Sequence, residues 1–358
     1  MSNMRPRMTE IVSRATIRDV ARTAGVSVGS VSRALNGGKN VSARVARDVA
    51  AAAEKLGYQP DFLARSLRTR TTGMVGCLVS DVANPLYASI VQAAEARLRD
   101  AGLLMVVANT ANDPARERAM VAAFRSRRLD GILVAPGSDE NDRAWRDLAA
   151  GGAPVVILDR DVPHLERPPE ETQPWPVVLV DHREGARTAT RYLIGLGHRR
   201  IALLTPGARM RPGRERIAGF HAAFAEADID PAGAEVCLQE SSMDFAQGDA
   251  LALLQRERRP TAIIALGTRI LAGALRAARD LGLAIPADLS VIAVGDTDLA
   301  AVHSPAITAL RWSLEDVGRA AAELLLQRLR GTGGEGQARA LLPVDLVLRD
   351  SCGPPASH

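Results

Sequence analysis

From Met74 onward the chain alternates short apolar runs with amphipathic stretches of helical period, and this rhythm constrains its fold more than any other feature. The runs are "MVGCLV", "LLMVVA", "GILVA", "PVVILD", "PVVLVD", "RIALLT", "AEVCLQ", "TAIIAL" and "LSVIAV". Helical patterns separate most of them, for instance over residues 86–100, 114–127 and 183–196. A β-α alternation of this kind predicts parallel sheets with crossover helices. The Pro-rich stretch "PHLERPPEETQPWP" (163–176) interrupts it after the fourth run and reads as a surface loop between two α/β halves. A last helix over 314–330 and a last strand, "LLPVDLVL", follow, joined by the flexible turn "GTGGEGQ" (331–337).

At 358 residues the chain is too long for one ordinary core and suits two or three domains. Apolar residues make up 47% and aromatics only 3%, so the core is built of Ala, Val, Leu and Ile. That composition is common in parallel-sheet proteins. No apolar run approaches the ~20 residues that span a bilayer. The N-terminal "MSNMRPRMTEIVSR" is charged and lacks a signal core, so no export is expected. Cys77, Cys237 and Cys352 lie far apart without metal or redox spacing. These features predict a reduced, cytoplasmic protein with no cofactor, no metal and no membrane partner.

The net charge of +4 hides an asymmetry. Residues 1–70 carry 13 Lys+Arg against 5 Asp+Glu, whereas the remainder carries 32 against 36. A basic head on a mildly acidic body suggests a polyanionic partner. A merely solvated basic face is the alternative. Residues 15–57 read as three short helices. Thr16 caps the first, with Asp19 three positions on. Gly25-Val26 turns the chain, Ser27 caps the second helix, and Ser42 starts a third that stops at Gly57. Two helices joined by a tight Gly turn form the helix-turn-helix unit, whose second helix enters the major groove. The second helix here, within "GVSVGSVSRALNG", is crowded with small residues. It is poor core material but slim enough for a groove about 12 Å wide. Ser and Thr hydroxyls suit phosphates, and Arg33 suits a bidentate contact to guanine. A helical bundle with no second use is the competing reading.

The segment "ATIRDVARTAGVSVGSVSRALNGGKNVSARVARDVAAAAEKLGYQPDFLARSLR" resembles the DNA-binding segment of the lactose-repressor (LacI/GalR) family of bacterial transcription regulators. The body is similar too, in "GCLVSDVANPLYASIVQAAE", "RRLDGILVAP", "VVILDRDV", "YLIGLGHRRIALL", "RIAGFHAAF" and "GLAIPADLSVIAVGD". The resemblance covers residues 15 to 350. It implies an all-α helix-turn-helix head (1–58), a hinge helix and linker (59–72) and a two-lobed, periplasmic-binding-protein-like α/β body (73–350), with a tail at 351–358. Its N-lobe would hold about 73–176 and 311–334, and its C-lobe about 177–310 and 335–350. The resemblance also implies a homodimer or tetramer, a pseudo-palindromic double-stranded DNA operator and a small-molecule effector bound between the lobes. Val28, Gly29 and Arg33 would choose bases. Thr16, Ser27, Ser30, Ser32 and Asn36 would line the same DNA surface. Leu67 would wedge into the minor groove beside Ala64 and Arg68, an apolar insertion that kinks the duplex. Gly29 departs from the larger side chain common there: either a base pair goes unread or the backbone approaches closely.

A cleft at the C-terminal ends of strands is the expected effector site. Candidates are Asp81, Asn84, Leu86 and Tyr87 after the first run, Ala135 after the third, and Asp159 and Arg160 after the fourth. Arg216, in "RIAGF", stands where the family commonly grips an effector. Three positions depart from sugar-binding relatives: Gly267-Thr268 replaces Asn-Asp, Gly295 replaces an aspartate with Asp296 one residue later, and Met243 replaces a stacking aromatic. "GARMRPGRER" meanwhile supplies Arg209, Arg211, Arg214 and Arg216. Guanidinium groups suit carboxylate or phosphate, so the expected effector is a sugar, or better an anion such as a sugar acid or other small carboxylate. An enzyme is the rival class, but no phosphate-binding loop or dinucleotide fingerprint is present, and the six histidines are scattered. His198 reads as a loop-structuring residue. An effector-insensitive architectural DNA binder is the other alternative.

Overall fold

The computed structural model describes residues 15–35, 41–58, 71–137, 145, 148, 152–160, 175–239, 245–267, 269–332 and 339–356. The chain divides into two compact units, 1–72 and 73–358. The expected hinge helix "DFLARSLR" lies outside the described residues.

In the first unit three helices, α1 (Ile17–Ala24), α2 (Val28–Leu35) and α3 (Ala43–Lys55), close around Val20, Val31 and Val49. The Asp19 carboxylate accepts from the Thr16 N–H at 2.9 Å and from its hydroxyl at 2.6 Å. These bonds hold its carboxyl below the ordinary carboxylate range. Gly25 ends α1 at φ +67°, a left-handed conformation that costs glycine little. Ser27 Oγ accepts from the Ser30 N–H at 3.1 Å and so caps α2. Ser42 caps α3 through the Val45 N–H.

The second unit contains two six-stranded sheets. The first is built from β1 (Met74–Val79), β2 (Leu104–Asn109), β3 (Gly131–Val134), β4 (Val155–Leu158), β5 (Val177–Val180) and β11 (Arg339–Leu342), in the order β11-β5-β4-β3-β1-β2. The second holds β6 (Ile201–Pro206), β7 (Ala234–Gln239), β8 (Ala262–Leu266), β9 (Ser290–Val294), β10 (Thr308–Arg311) and β12 (Asp345–Val347), in the order β12-β10-β9-β8-β6-β7. All pairings are parallel except β10 with β12. Helices α4 (Pro85–Asp100), α5 (Pro114–Ser126) and α11 (Leu314–Leu329) serve the first sheet. The second is served by α6 (His182–Gly195), α7 (Arg211–Glu226) and α9 (Arg269–Asp280), with α8 (Gln247–Leu254) packed on α9. The short α10 (Asp298–Val302) follows β9. In each sheet the order reverses beside one strand, β1 and β6 respectively. Crevices at such reversals are where ligands enter parallel sheets.

Three expectations about the chain's course are corrected. The run at 177–180 was assigned to the second lobe, but it is β5 of the first sheet, paired with β4 from Ile157↔Val177. The composition break at the Pro-rich loop is not the crossing; the chain crosses after Val180, where Asp181 caps α6. The last strand, "LLPVDLVL", is two strands in different sheets. Pro343 has no N–H to give a ladder, so pairing stops there and the chain passes from β11 to β12. This moves 339–342 into the first lobe. The tail expected from 351 also begins too early. Ser351 is fully buried and donates to Val291 O at 2.6 Å, while the Gly353 carbonyl accepts from the Ser290 hydroxyl. A further strand, β10, falls where only a crossing was expected.

Candidate functional sites: a small-sided helix and a buried cationic cavity

On α2 the 100° step per residue places Val28, Gly29, Ser32 and Arg33 on one face and turns Val31 to the opposite side. The burial follows this arithmetic: Val31 is fully buried, while Ser27, Val28, Gly29 and Arg33 are exposed. A Cβ on Gly29 would meet nothing nearer than Ser27 Oγ at 3.8 Å, so the glycine is not required by packing within the head. Arg33 Nη2 stands 3.5 Å from Ser30 Oγ, and Thr16 is exposed at the start of α1. Ser30 and Ser32 are half-buried. Asn36, Ala64, Leu67 and Arg68 lie outside the described residues.

In the second unit one cavity of about 80 Å³ draws its walls from the C-terminal ends of strands in both sheets. Ser80 follows β1, Asp159 and Arg160 follow β4, His182 follows β5, Gly207 follows β6, and Trp312 follows β10. Asp159 sits at φ +49°, a left-handed backbone that aspartate tolerates better than most side chains. Its carboxylate is the hub of the site. Oδ2 lies 2.7 Å from His182 Nε2, and Oδ1 accepts from the Val180 N–H at 3.1 Å and from Arg211 Nη1 at 3.4 Å. Arg211 Nη1 also donates to Val180 O at 3.0 Å. Arg160 donates from Nε to Pro136 O, from Nη1 to Asp159 O and from Nη2 to the Tyr87 hydroxyl. Arg216, only 6% exposed, places Nη2 at 3.4 Å from His182 Nδ1. Its Nε has no hydrogen-bond partner among the described residues.

These contacts assign the charges. Burial pushes the His182 imidazole down to about 4, and Arg216 and Arg211 add to the shift against the pull of Asp159. His182 is therefore neutral near pH 7. A carboxylate can only accept, so Nε2 carries the proton and Nδ1 accepts from Arg216. Burial alone would raise the Asp159 carboxyl, but His182, Arg160 and the Val180 N–H outweigh it and keep the group ionised. Burial lowers Arg216 to about 10, which still leaves it charged. Among the described residues three guanidinium groups thus lie around one carboxylate, Arg211 in contact with it and Arg160 and Arg216 coupled to it through charge, and the cluster is cationic.

Of the expected effector residues, Asn84, Leu86, Tyr87, Asp159, Arg160 and Arg216 all line the cavity. Arg211 is buried behind its wall and fixes Asp159. Others lie elsewhere. Arg209 is exposed, and its carbonyl accepts from Arg214. Asp81 accepts from the Ala83 N–H in the turn before α4. Asp296 is paired with Arg349 at 2.8 Å. Ala135 is fully buried in the sheet core. Gly267 is held by close approach, since a Cβ there would fall 2.4 Å from Gly295 O. Met243 and Thr268 lie outside the described residues. His182 and Trp312 were missed as lining residues. His182 opens the helix directly after a strand, which is a legible signal; Trp312 follows β10, which was itself not expected. His198 is structural, with Nδ1 2.8 Å from Thr261 Oγ1 and Nε2 2.9 Å from Gly353 O. Among the described residues no three His, Cys, Asp or Glu side chains gather as a metal site.

Residues 16–61 match the family described as bacterial regulatory proteins, lacI family, and residues 190–352 match a periplasmic binding protein-like domain. The chain is 31% identical over 340 residues to the HTH-type transcriptional repressor PurR of Photobacterium profundum, covering 94% of this chain and 98% of that one. The chain belongs to the lacI family. A second lacI-family relative, the HTH-type transcriptional regulator DegA of Bacillus subtilis, is 29% identical over 95% of this chain and 99% of its own length. The crystal structure of the lac repressor dimer bound to operator and the anti-inducer ONPF superposes with a TM-score of 0.82 at 27% identity, covering 95% of this chain and 99% of that one. As a lacI-family member the chain is a DNA-binding transcriptional regulator and not an enzyme. Its head is the helix-turn-helix unit, and its body is the two-lobed α/β fold of that family.

Proposed function

We propose that the protein is a repressor that binds a pseudo-palindromic operator as a homodimer and is controlled by a small anion bound in the cavity of its body. The observation that carries the effector class is Arg216: a charged guanidinium, nine-tenths buried, whose Nε has no partner among the described residues, in a cavity that Arg160 and Asp159 also line, with Arg211 behind the wall. Leaving a buried charged donor unpaired is costly, and a carboxylate or phosphate would satisfy it. Val28, Gly29 and Arg33 face the bases in this reading, Thr16, Ser27, Ser30, Ser32 and Asn36 approach the backbone, and Leu67, flanked by Ala64 and Arg68, wedges into the minor groove. Exposed Leu104 and Val107 on the edge strand β2, and Val302 at the end of α10, suit burial against a second copy. The protein would work in the cytoplasm, at the nucleoid. Among the described residues no helix is long and apolar enough to cross a membrane.

The effector acts by population shift: it binds one arrangement of the lobes better and so changes the fraction competent for the operator. Selection of bound fragments from genomic DNA, then footprinting of a recovered operator with and without small anions, tests the reading. One inverted-repeat motif and an anion-dependent footprint are expected. A footprint that no small molecule alters would point to an architectural DNA binder, and one that only neutral sugars alter would overturn the anionic class.

A further inference from the structure

We infer that the effector is an apolar-bodied monocarboxylate, an aliphatic or aromatic acid, and not a polyhydroxylated sugar acid; this rests on the anionic reading of the same cavity. The cationic groups are unequally available. Arg160 spends Nε, Nη1 and Nη2 on Pro136 O, Asp159 O and the Tyr87 hydroxyl, and Arg211 is turned to Val180 O and Asp159. Arg216 lines the cavity with a buried Nε that no described residue engages. Among the described residues the site therefore offers one carboxylate-sized docking point.

Among the described residues Ser80, Asn84 and Asn112 add polar groups to the wall, and the larger part of the rest is hydrocarbon. Leu86, Leu266, Trp312, Leu314 and Val317 line the same space. The decisive position is Gly295, which offers no side chain beside Leu86 and Trp312. Its backbone sits at φ +104°, which disfavours any side chain. A Cβ built there would lie 3.3 Å and 3.5 Å from the Leu86 methyl carbons and 3.7 Å from the Trp312 ring. Leucine and tryptophan thus stand where a hydroxyl acceptor would project. The next acidic residue, Asp296, is bound to Arg349 and does not line the cavity. A ligand hydroxyl facing Leu86 and Trp312 would lose its water without gaining a partner, at a cost of roughly tenfold or more in affinity. A hydrocarbon body at the same place gains by leaving water. A second carboxylate would meet that wall, so a monoanion fits better than a dianion.

Calorimetric titration of the full-length protein with hexanoate, benzoate, gluconate, adipate and hexanamide tests this. Hexanoate or benzoate should bind at least tenfold more tightly than gluconate, adipate and hexanamide. In Arg216→Gln that affinity should fall at least tenfold, while Arg216→Lys should lose less; an unchanged thermal melt without ligand shows that each variant folds. Tighter binding of gluconate would overturn the apolar body and tighter binding of adipate the single charge, and either would leave the anionic reading standing. Equal binding of hexanamide and hexanoate would overturn both. No binding by either hexanoate or benzoate would also overturn the apolar class.

Discussion

The imidazole of His182 lies between the Asp159 carboxylate and the Arg216 and Arg211 guanidinium groups, with the Trp312 ring edge-on at 5.4 Å. Burial and the two cations lower its folded-state pKa to about 4, against an ordinary value of 6.5. As pH falls from 6.5 toward 4, the unfolded chain takes up a proton there and the folded chain does not. The stability contributed by the neutral imidazole is therefore lost across that window and retained above it. Between pH 7 and pH 4.5 the expected loss from this residue is about 2 kcal/mol. Urea denaturation at the two pH values checks it: His182→Asn should lose about that much less stability than the parent on acidification. Asp159, whose carboxyl is held below 3.8, adds its own loss only at still lower pH. Aspartate and arginines in this neighbourhood were legible from their places after strands. That they share one proton-sharing cluster was not, because Asp159, His182 and Arg216 come from three separate segments.

At the scale of elements, helices and strands followed local rules where burial was uniform. Each core strand is buried on both faces, so its run is continuously apolar and stands out. β10, "TALR", has Thr at one end and exposed Arg311 at the other, and offers no such run. The join between β11 and β12 was hidden because the apolar pattern continues across Pro343 while the pairing partners change. Close helix contact is equally invisible to periodicity. A Cβ on Gly318 of α11 would fall 2.2 Å from the Ile90 carbonyl oxygen of α4 and 2.9 Å from Ala93 Cβ. Gly318→Ala should therefore cost about 2 kcal/mol by forcing the two helices apart, seen as a lowered urea midpoint. The opposite sign is expected at Gly29 on α2. There the space is open and the backbone is helical, so Gly29→Ala should stabilise the head by about 1 kcal/mol. A raised melting temperature with operator affinity within about threefold of the parent would mean that Gly29 leaves its base pair unread. A large loss of operator affinity would instead favour close backbone approach to DNA.

For the whole molecule, the charge asymmetry between residues 1–70 and the rest makes operator binding an electrostatic event. Affinity should fall steeply with salt, by about 10³-fold or more between 50 mM and 200 mM if a dimer neutralises six or more phosphates. Fluorescence anisotropy with a recovered operator measures the slope. A shallow slope would mean that few of the head's cations reach phosphates. Effector affinity should change far less over that range, because the Arg216 site is buried and screening acts weakly there.

By itself the sequence determined that this is a basic helix-turn-helix head joined to a parallel-sheet α/β body. Those properties are written in local patterns: caps at Thr16, Ser27 and Ser42, a small-sided helix, and apolar runs whose length and spacing permit few alternatives. Only the tertiary structure decided where the chain passes between sheets, that Arg216 Nε has no hydrogen-bond partner among the described residues, and that Leu86 and Trp312 cover the place of an absent side chain at Gly295. The physical reason is that hydrogen-bond satisfaction and burial depend on atoms brought together from distant segments. Arg209 and Arg216 look alike in sequence, yet one lies in water and the other lies beside His182.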